Sequence, residues 1–417
     1  MPKLIRKIML IKPTKLEHAR VELLKSISIK KNAIEVPLEN ASERISNKKI
    51  DSKLNLPSTA NSAVDGYGIS SATFFDNPNT VFKVIGVAKA GHPFKEKVLP
   101  GQAIEIYTGA IMPNGIDTII MHEKCERLDN KVKIKEHIKK NQNMRPIGEN
   151  LKKGEVVVKK GKLLNSADIG QLAASGNSKI NVYEKVKVSV ISTGDELINA
   201  NAKNRLEGQI FDSNKPMLLS LLNQNYLEVL DLGIVKDNRS KLAAKYAEAL
   251  SKTDVIISSG GASDGIEDHT QSALKDIGAK CLVWQLAMKP GKPMAVGTIG
   301  DKFIFCLPGN PVAAFVCTKL LIKPLLIKMS GGVDLEPLQI KLPSGFEHNK
   351  RVGRAEYLRA KITNDGKDTV IKLHGRKGAG VISSLTGADG IVEIPMEYKS
   401  VNRGELLTFF PFEHRGL

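Results

Sequence analysis

Apolar positions along this chain change their spacing more than once. Near the N-terminus Leu16, Ala19, Leu23 and Leu24 recur at helical intervals, which predicts a helix with one apolar face. From about residue 56 to residue 145 the apolar runs shorten and become strand-like, as in 81–87 and 103–107, with glycine and proline between them. That texture predicts a small β-rich unit. Residues 155–161 read as another turn-bounded strand, and 167–175 as a short helix stopped by Gly176. From residue 186 strands and helices alternate. Strands are expected over 186–191, 227–230, 255–257, 282–285 and 303–306, and helices over 216–223, 241–250, 270–275 and 312–327. Ser213 or Asn214 can cap the 216–223 helix, with Pro216 in its first turn. Such alternation predicts βαβ units with right-handed crossovers and a parallel sheet. Beyond Gly331 and Gly332 short strands return, over 338–342, 354–360, 369–373, 392–394 and 406–410, and predict a small all-β domain.

Composition narrows the class. A length of 417 residues suits about three domains and several buried cores. A hydrophobic share of 41% with 25% charged residues reads as a soluble, globular protein. The formal charge of +18 suits an anionic partner, but the lysines are spread along the chain, so most of the excess reads as solvated surface. Only 5% of residues are aromatic, too few interleaved rings for a single-stranded nucleic-acid platform, so no nucleic acid is expected as partner. The four cysteines form no C-x-x-C pair, which argues against a disulfide framework or a structural zinc. Cys281, Cys306 and Cys317 sit in apolar runs and read as core thiols. The N-terminus lacks an export signal, and the longest apolar stretch, 312–327, is broken by Lys319 and Lys323. No membrane partner is expected, and the cytoplasm is the default location.

Three loops carry the chemistry of the alternating region. Ser192-Thr193-Gly194-Asp195-Glu196-Leu197, Ser258-Ser259-Gly260-Gly261-Ala262-Ser263-Asp264-Gly265 and Leu307-Pro308-Gly309-Asn310-Pro311 each follow an apolar strand. In an open parallel sheet ligands sit beyond the carboxyl ends of the strands, so strands of one sheet would bring these loops to one rim. Each loop alone is an ordinary βα turn; together they suit a phosphorylated ligand and a hard cation. Paired glycines admit backbone amides close to an anion. Asp195 and Glu196 either hold Mg²⁺ beside substrate phosphates or are two solvated acids. Lys289-Pro290-Gly291-Lys292-Pro293 presents two lysines on a stiff turn, suited to an anion. In Asn61-Ser62-Ala63-Val64-Asp65-Gly66-Tyr67, Asp65 taken alone makes an Asx-type turn. Thr108, in Tyr107-Thr108-Gly109-Ala110, either bonds a phosphate or caps its turn.

In their order along the chain these motifs, with Gly208-Gln209-Ile210-Phe211-Asp212-Ser213-Asn214, resemble the MoeA family of molybdopterin molybdenumtransferases, and the C-terminal half of gephyrin is similar. The resemblance covers residues 12–412. It implies a multidomain α/β and β fold. A small N-terminal domain is built from residues 1–55 and 144–180, and a β-rich domain, 56–143, is inserted in it. A three-layer α/β molybdopterin-binding domain with a parallel-type sheet spans 181–330, and a barrel-like β domain spans 331–417. It implies a homodimer with its active site between subunits, where adenylylated molybdopterin meets molybdate and Mg²⁺-dependent cleavage releases AMP. Other proteins of molybdenum cofactor biosynthesis are further partners on the same ground.

Carried over by motif, Asp65, Thr108, Glu196 and Asp268 are the catalytic set, with Asp65, Glu196 and Asp268 as metal ligands. Asp212, Ser259, Gly260, Gly261, Ser263, Lys289, Lys292, Pro308, Gly309, Asn310 and Pro311 are the substrate-binding set. Two departures stand out: Asn150 where the family often has aspartate, which removes a charge, and His269 where tyrosine is frequent. Two other functions share parts of the pattern. An adenylyltransferase of the same pathway would lack the β-rich parts before residue 145 and after 331. A non-catalytic gephyrin-like scaffold would be favoured by a long linker or extra domain.

Overall fold

The structure, a computed structural model, describes residues 13–29, 32–260, 269–366, 368–376 and 378–412. At its centre lies a mixed sheet made from β1 (Val186–Thr193), β2 (Leu227–Val235), β3 (Val255–Ser259), β4 (Lys280–Trp284), β5 (Ala295–Ile299) and β6 (Lys302–Leu307). The spatial order is β2-β1-β3-β6-β5-β4, and the first four strands are mutually parallel. Five helices cover it: α1 (Asn214–Leu221), α2 (Arg239–Lys252), α3 (Thr270–Asp276), α4 (Pro311–Cys317) and α5 (Lys323–Met329).

The period-2 alternation of strand side chains explains the three layers. Val188, Val190, Val255, Ile257, Phe303 and Phe305 point into one core with Leu218 of α1 and Val312, Val316 and Leu325 of α4 and α5. Their neighbours Ile191, Ile256, Ile304 and Cys306 point into the opposite core with Leu242 and Tyr246 of α2 and Leu274 of α3. Both faces of β3 and β6 are buried, so these strands read as short apolar runs, whereas β1 carries Lys187 and Ser189 and the edge strand β2 carries exposed Glu228 and Asp231.

The sheet differs from the expected one at β5, which runs antiparallel to both β4 and β6. It turns into β6 over two residues, with Gly300 at φ +59°. The expected helix over 312–327 is two helices joined by a π-turn at Thr318–Ile322. Pro324 carries no N–H, so the carbonyl four residues earlier, that of Leu320, loses its usual helical donor. Arg20 Nη1 donates to that oxygen at 3.4 Å, while its Nη2 meets Glu336 at 2.6 Å. Arg20 belongs to the N-terminal helix Leu16–Ser26, whose Leu16, Ala19, Leu23 and Leu24 are buried in the central core.

Residues 33–56 and 151–182 share a separate core through Val36, Leu38, Leu151, Val158, Leu172 and Val182. Between them in sequence, a six-stranded sheet runs in the order Thr118–Met121, Gly66–Ile69, Gln102–Ile106, Val81–Ala88, Lys131–Ile134, Cys125–Leu128. The C-terminal sheet runs Ala355–Asp365, Gly390–Ile394, Leu406–Pro411, Ile340–Pro343, and Asp368–Leu373 pairs with the first of these. Gly345 N donates to Ile371 O at 2.8 Å and brings the two ends together, so the sheet is barrel-like. Its outer edge is extended by Met288–Lys289, which pairs with Ala355 and Glu356 although it belongs to the loop between β4 and β5.

Candidate functional site

Strands β1, β3 and β6 lie side by side, so the loops leaving their carboxyl ends meet at one rim. The chain leaves β1 to place β2 on one side, then returns to place β3 on the other. Strand order therefore reverses between β1 and β3, the position where doubly wound sheets bind ligands. A cavity of about 390 Å³ opens there, lined by Glu196, Asp212, Asn214, Asp237, Ser259 and Gly260, with Pro308, Gly309, Asn310 and Pro311 of the β6 loop.

Short-range packing holds the three loops together. Gly260 has φ +100°, and a Cβ on it would stand 2.2 Å from Thr193 O, so only glycine lets the β3 loop lie against the β1 loop. The Gly260 N–H donates to Leu307 O at 3.1 Å. Asn214, 8% exposed, spans the remaining gap. Its Nδ2 donates to Ser259 Oγ and to Gly309 O, each at 2.7 Å.

The carboxylates are fixed more loosely. Asp237 accepts from Thr193 Oγ1 at 2.7 Å and from Asp195 N at 3.3 Å, and Asp195 Oδ1 accepts from Asp237 N at 3.3 Å. Asp212 is 3% exposed. Its Oδ1 accepts from Lys215 N at 3.1 Å. Its Oδ2 is buried and has no hydrogen-bond partner among the described residues. An acceptor in that state costs about 1–3 kcal/mol, which a donor or cation on a ligand would remove. Glu196, Asp212 and Asp237 thus offer carboxylate oxygens to one cavity. Mg²⁺ takes one or two such groups and fills the rest of its shell with water and phosphate, so the donor set fits that ion. Among the described residues there is no group of three or more His, Cys, Asp or Glu side chains arranged to hold a metal by themselves.

The other expected residues lie elsewhere. Asp65 and Thr108 are exposed on loops of the inserted sheet and are not among the residues lining the 390 Å³ cavity. Thr108 donates to Asp65 Oδ1 from its N–H and its hydroxyl, and these bonds hold the Asp65 carboxyl below its ordinary range.

Lys289 lines a second cavity of about 650 Å³ with Pro290, His348, Arg351, Arg354 and Glu356. Two other cations at this cavity are committed to the fold. Lys350 Nζ donates to Pro395 O at 3.0 Å and Tyr398 O at 3.1 Å, and desolvation lowers its pKa. Arg359 donates to Ser384 Oγ at 2.8 Å and Arg376 O at 3.1 Å. Lys289, Arg351 and Arg354 are exposed cations of the lining. The Lys292 carbonyl accepts from Leu286 N at 2.9 Å, within the same turn. Gly261, Ser263, Asp268 and the loop that carries them fall outside the described residues.

Asp237, Arg351 and Arg354 were not singled out in the sequence. Asp237 had a signal. The strand expected to stop at residue 230 runs on to Val235, and that carries Asp237 to the rim.

Residues 14–176 match the model of the MoeA N-terminal region (domain I and II), residues 189–328 match the "Probable molybdopterin binding domain", and residues 341–412 match the MoeA C-terminal region (domain IV). The chain belongs to the MoeA family. It is 34% identical over 402 residues to the molybdopterin molybdenumtransferase of Haemophilus influenzae, covering 96% of this chain and 98% of that one. Identity to the enzyme of the same name from Nostoc is 32% over 378 residues, 89% and 86% of the two chains. A solved molybdopterin biosynthesis MoeA protein from Pyrococcus horikoshii superposes with a TM-score of 0.82 at 28% identity, over 96% of this chain and 100% of that one. MoeA membership brings the enzyme class with it, a transferase of molybdenum cofactor biosynthesis. No helix of the described residues is long and apolar enough to cross a membrane.

Proposed function

We propose that this MoeA-family chain inserts molybdenum into molybdopterin, using adenylylated molybdopterin and molybdate as substrates, with Mg²⁺ as the assisting cation and AMP as the released product. The observation that carries the proposal is the cavity at the strand-order reversal, which gathers carboxylates, glycine-lined backbone and the unpartnered Asp212 Oδ2 on one rim.

In this mechanism the residues position more than they react. Asn214 keeps the loops of β3 and β6 in register around the substrate. Gly260 and Gly309 admit the backbone close to the pyrophosphate. Asp212 Oδ2 accepts a donor from the substrate or faces the cation. One or two of the carboxylates of Glu196, Asp212 and Asp237 would hold Mg²⁺ with water and phosphate, and the ion would neutralise charge on the pyrophosphate. Lys289, Arg351 and Arg354 attract the molybdate dianion to the second cavity. Cleavage of a pyrophosphate link needs no protein nucleophile, because orientation and charge stabilisation supply the rate. The substrate brings its own dithiolene sulfurs.

A homodimer that sets the Asp65–Thr108 pair of one subunit over the cavity of the other would bring the catalytic set together. The division into a two-segment N-terminal domain, an inserted domain, the α/β domain and the C-terminal domain belongs to the same proposal, as does a cytoplasmic location. The test incubates purified protein with adenylylated molybdopterin and molybdate. Coupled appearance of AMP and molybdenum-bearing product is expected. AMP release that ignores molybdate, or no product at all, would overturn the proposal.

A further inference from the structure

The second cavity contains a buried acid where an anion is to be received. Glu356, 7% exposed, is the carboxylate among the described residues of its lining. Repulsion of an entering oxyanion is the first effect such a group should have. Its contacts suggest another role. Glu356 Oε1 accepts from Lys289 Nζ at 3.0 Å, and Oε2 meets His348 Nε2 at 2.8 Å. His348 is itself buried, at 8% exposure. The three residues therefore form one chain of contacts, from a buried imidazole through a buried carboxylate to an exposed ammonium.

The backbone confirms that this chain of contacts is built in. Met288–Lys289 pairs in parallel with Ala355–Glu356, so Lys289 and Glu356 are register partners across two different units. A lysine stem has four rotatable bonds, and an unrestrained one loses much entropy on meeting a ligand. A carboxylate fixed at its base removes part of that loss in advance.

We propose that Glu356 and His348 are positioning residues of the oxyanion cavity: His348 orients the Glu356 carboxylate, and Glu356 holds the Lys289 ammonium where molybdate is received. This rests on the assignment of that cavity to molybdate given above. Through Glu356 the C-terminal sheet then sets the binding lysine of the α/β unit, beside Arg351 and Arg354 of the segment that leads into it.

The two roles of Glu356 predict opposite signs. Calorimetry with molybdate as probe compares wild type, Lys289→Met, Glu356→Gln, His348→Leu and His348→Gln. Glu356→Gln keeps the side-chain shape and removes a negative charge. Under the proposal it weakens molybdate binding about tenfold, the scale on which outer partners of ligand sites act. In turnover it raises KM for molybdate and leaves kcat near wild type. His348→Leu follows it, and His348→Gln, which keeps a donor, restores affinity. In the Lys289→Met background Glu356→Gln has no further effect. Tighter binding by Glu356→Gln would overturn the positioning role and leave simple repulsion. If His348→Leu does not fold, the sign for Glu356→Gln and retention of affinity by His348→Gln decide. Failure of wild type to bind molybdate, with Lys289→Met unchanged, overturns the cavity assignment itself, a result separate from a wrong sign at Glu356.

Discussion

One oxygen of Asp65 takes two hydrogen bonds from Thr108, 2.7 Å from its main-chain nitrogen and 2.7 Å from its hydroxyl. Both favour the ionised carboxylate, which lowers its pKa. Thr108→Val removes one bond and keeps the other. Carboxyl carbon shifts followed through a titration should place Asp65 higher in the variant than in wild type. A depressed folded-state pKa stabilises above the unfolded value and loses that effect as pH falls through the folded one. Any stability from this pair is therefore lost only in acid, below the ordinary aspartate range. At neutral pH, where that stability is present, Thr108→Val should reduce turnover and lower the melting curve only slightly, because the pair is exposed to solvent.

Asn214→Ala should loosen the central rim. It strands Ser259 Oγ and Gly309 O, each of which receives its amide. Losing the buried bond to Ser259 costs about 1–3 kcal/mol, whereas the Gly309 carbonyl, on an exposed residue, can turn to water. Denaturant unfolding should show that loss together with weaker nucleotide binding. Unchanged stability would mean that the loops hold each other without Asn214.

Gly260→Ala is the sharpest steric test. The position needs positive φ, and the new Cβ meets a backbone oxygen rather than a movable side chain. Conformational strain alone costs about 1–3 kcal/mol. Thermal unfolding should fall accordingly, and substrate affinity should fall further because the β3 loop must back away from Thr193.

Lys289→Met should weaken molybdate binding by about 1.5–3 kcal/mol, the range for a hydrogen bond to a charged group. From the turn alone the side chain looks free to change, but the ammonium in fact sits on a buried carboxylate. The Glu356 pKa is lowered: burial raises it, while the bonds from His348 and Lys289 outweigh burial. In the variant it should rise. Stability from this group is present above the unfolded carboxylate pKa and lost as pH falls through the folded value, so wild type should keep its stability to lower pH than Lys289→Met. Acid unfolding curves of the two proteins check the shift.

AMP release should require a divalent cation, since carboxylates around a pyrophosphate repel it. Asp212→Asn and Glu196→Gln should each slow molybdenum insertion sharply and still fold, because rim residues add little to the core; Asp268→Asn, from the motif carry-over, should slow insertion likewise. Full turnover in excess chelator would remove the metal from the mechanism.

The alternating strands were legible because β3 and β6 are buried on both faces and appear as short apolar runs, and β1 keeps apolar residues at 186, 188, 190 and 191 around Lys187 and Ser189. Their loops were legible for the same reason, since a strand end names a rim. Strand β5 was not, because Gly297 interrupts its apolar run; a Cβ there would come within 3.3 Å of Leu274. The π-turn was hidden by the apolar strength of 312–327, in which Pro324 passed without notice. The site was half legible. Loops adjacent in the sheet could be inferred to meet, whereas Lys289 and Glu356 are 67 positions apart and meet through a two-residue strand that has no periodicity to detect.

That two-residue strand also bears on how the polypeptide can be divided. The C-terminal sheet does not own its outer edge; Met288–Lys289 closes the flank of Ala355–Glu356 from outside the sheet's own sequence. A fragment starting after residue 331 would show bare peptide groups along that flank, and open strand edges recruit other chains. Such a fragment should self-associate, and adding back residues 286–294 as a tethered segment should suppress it. For exchange between relatives, the transferable piece is the C-terminal sheet together with its lysine-bearing turn.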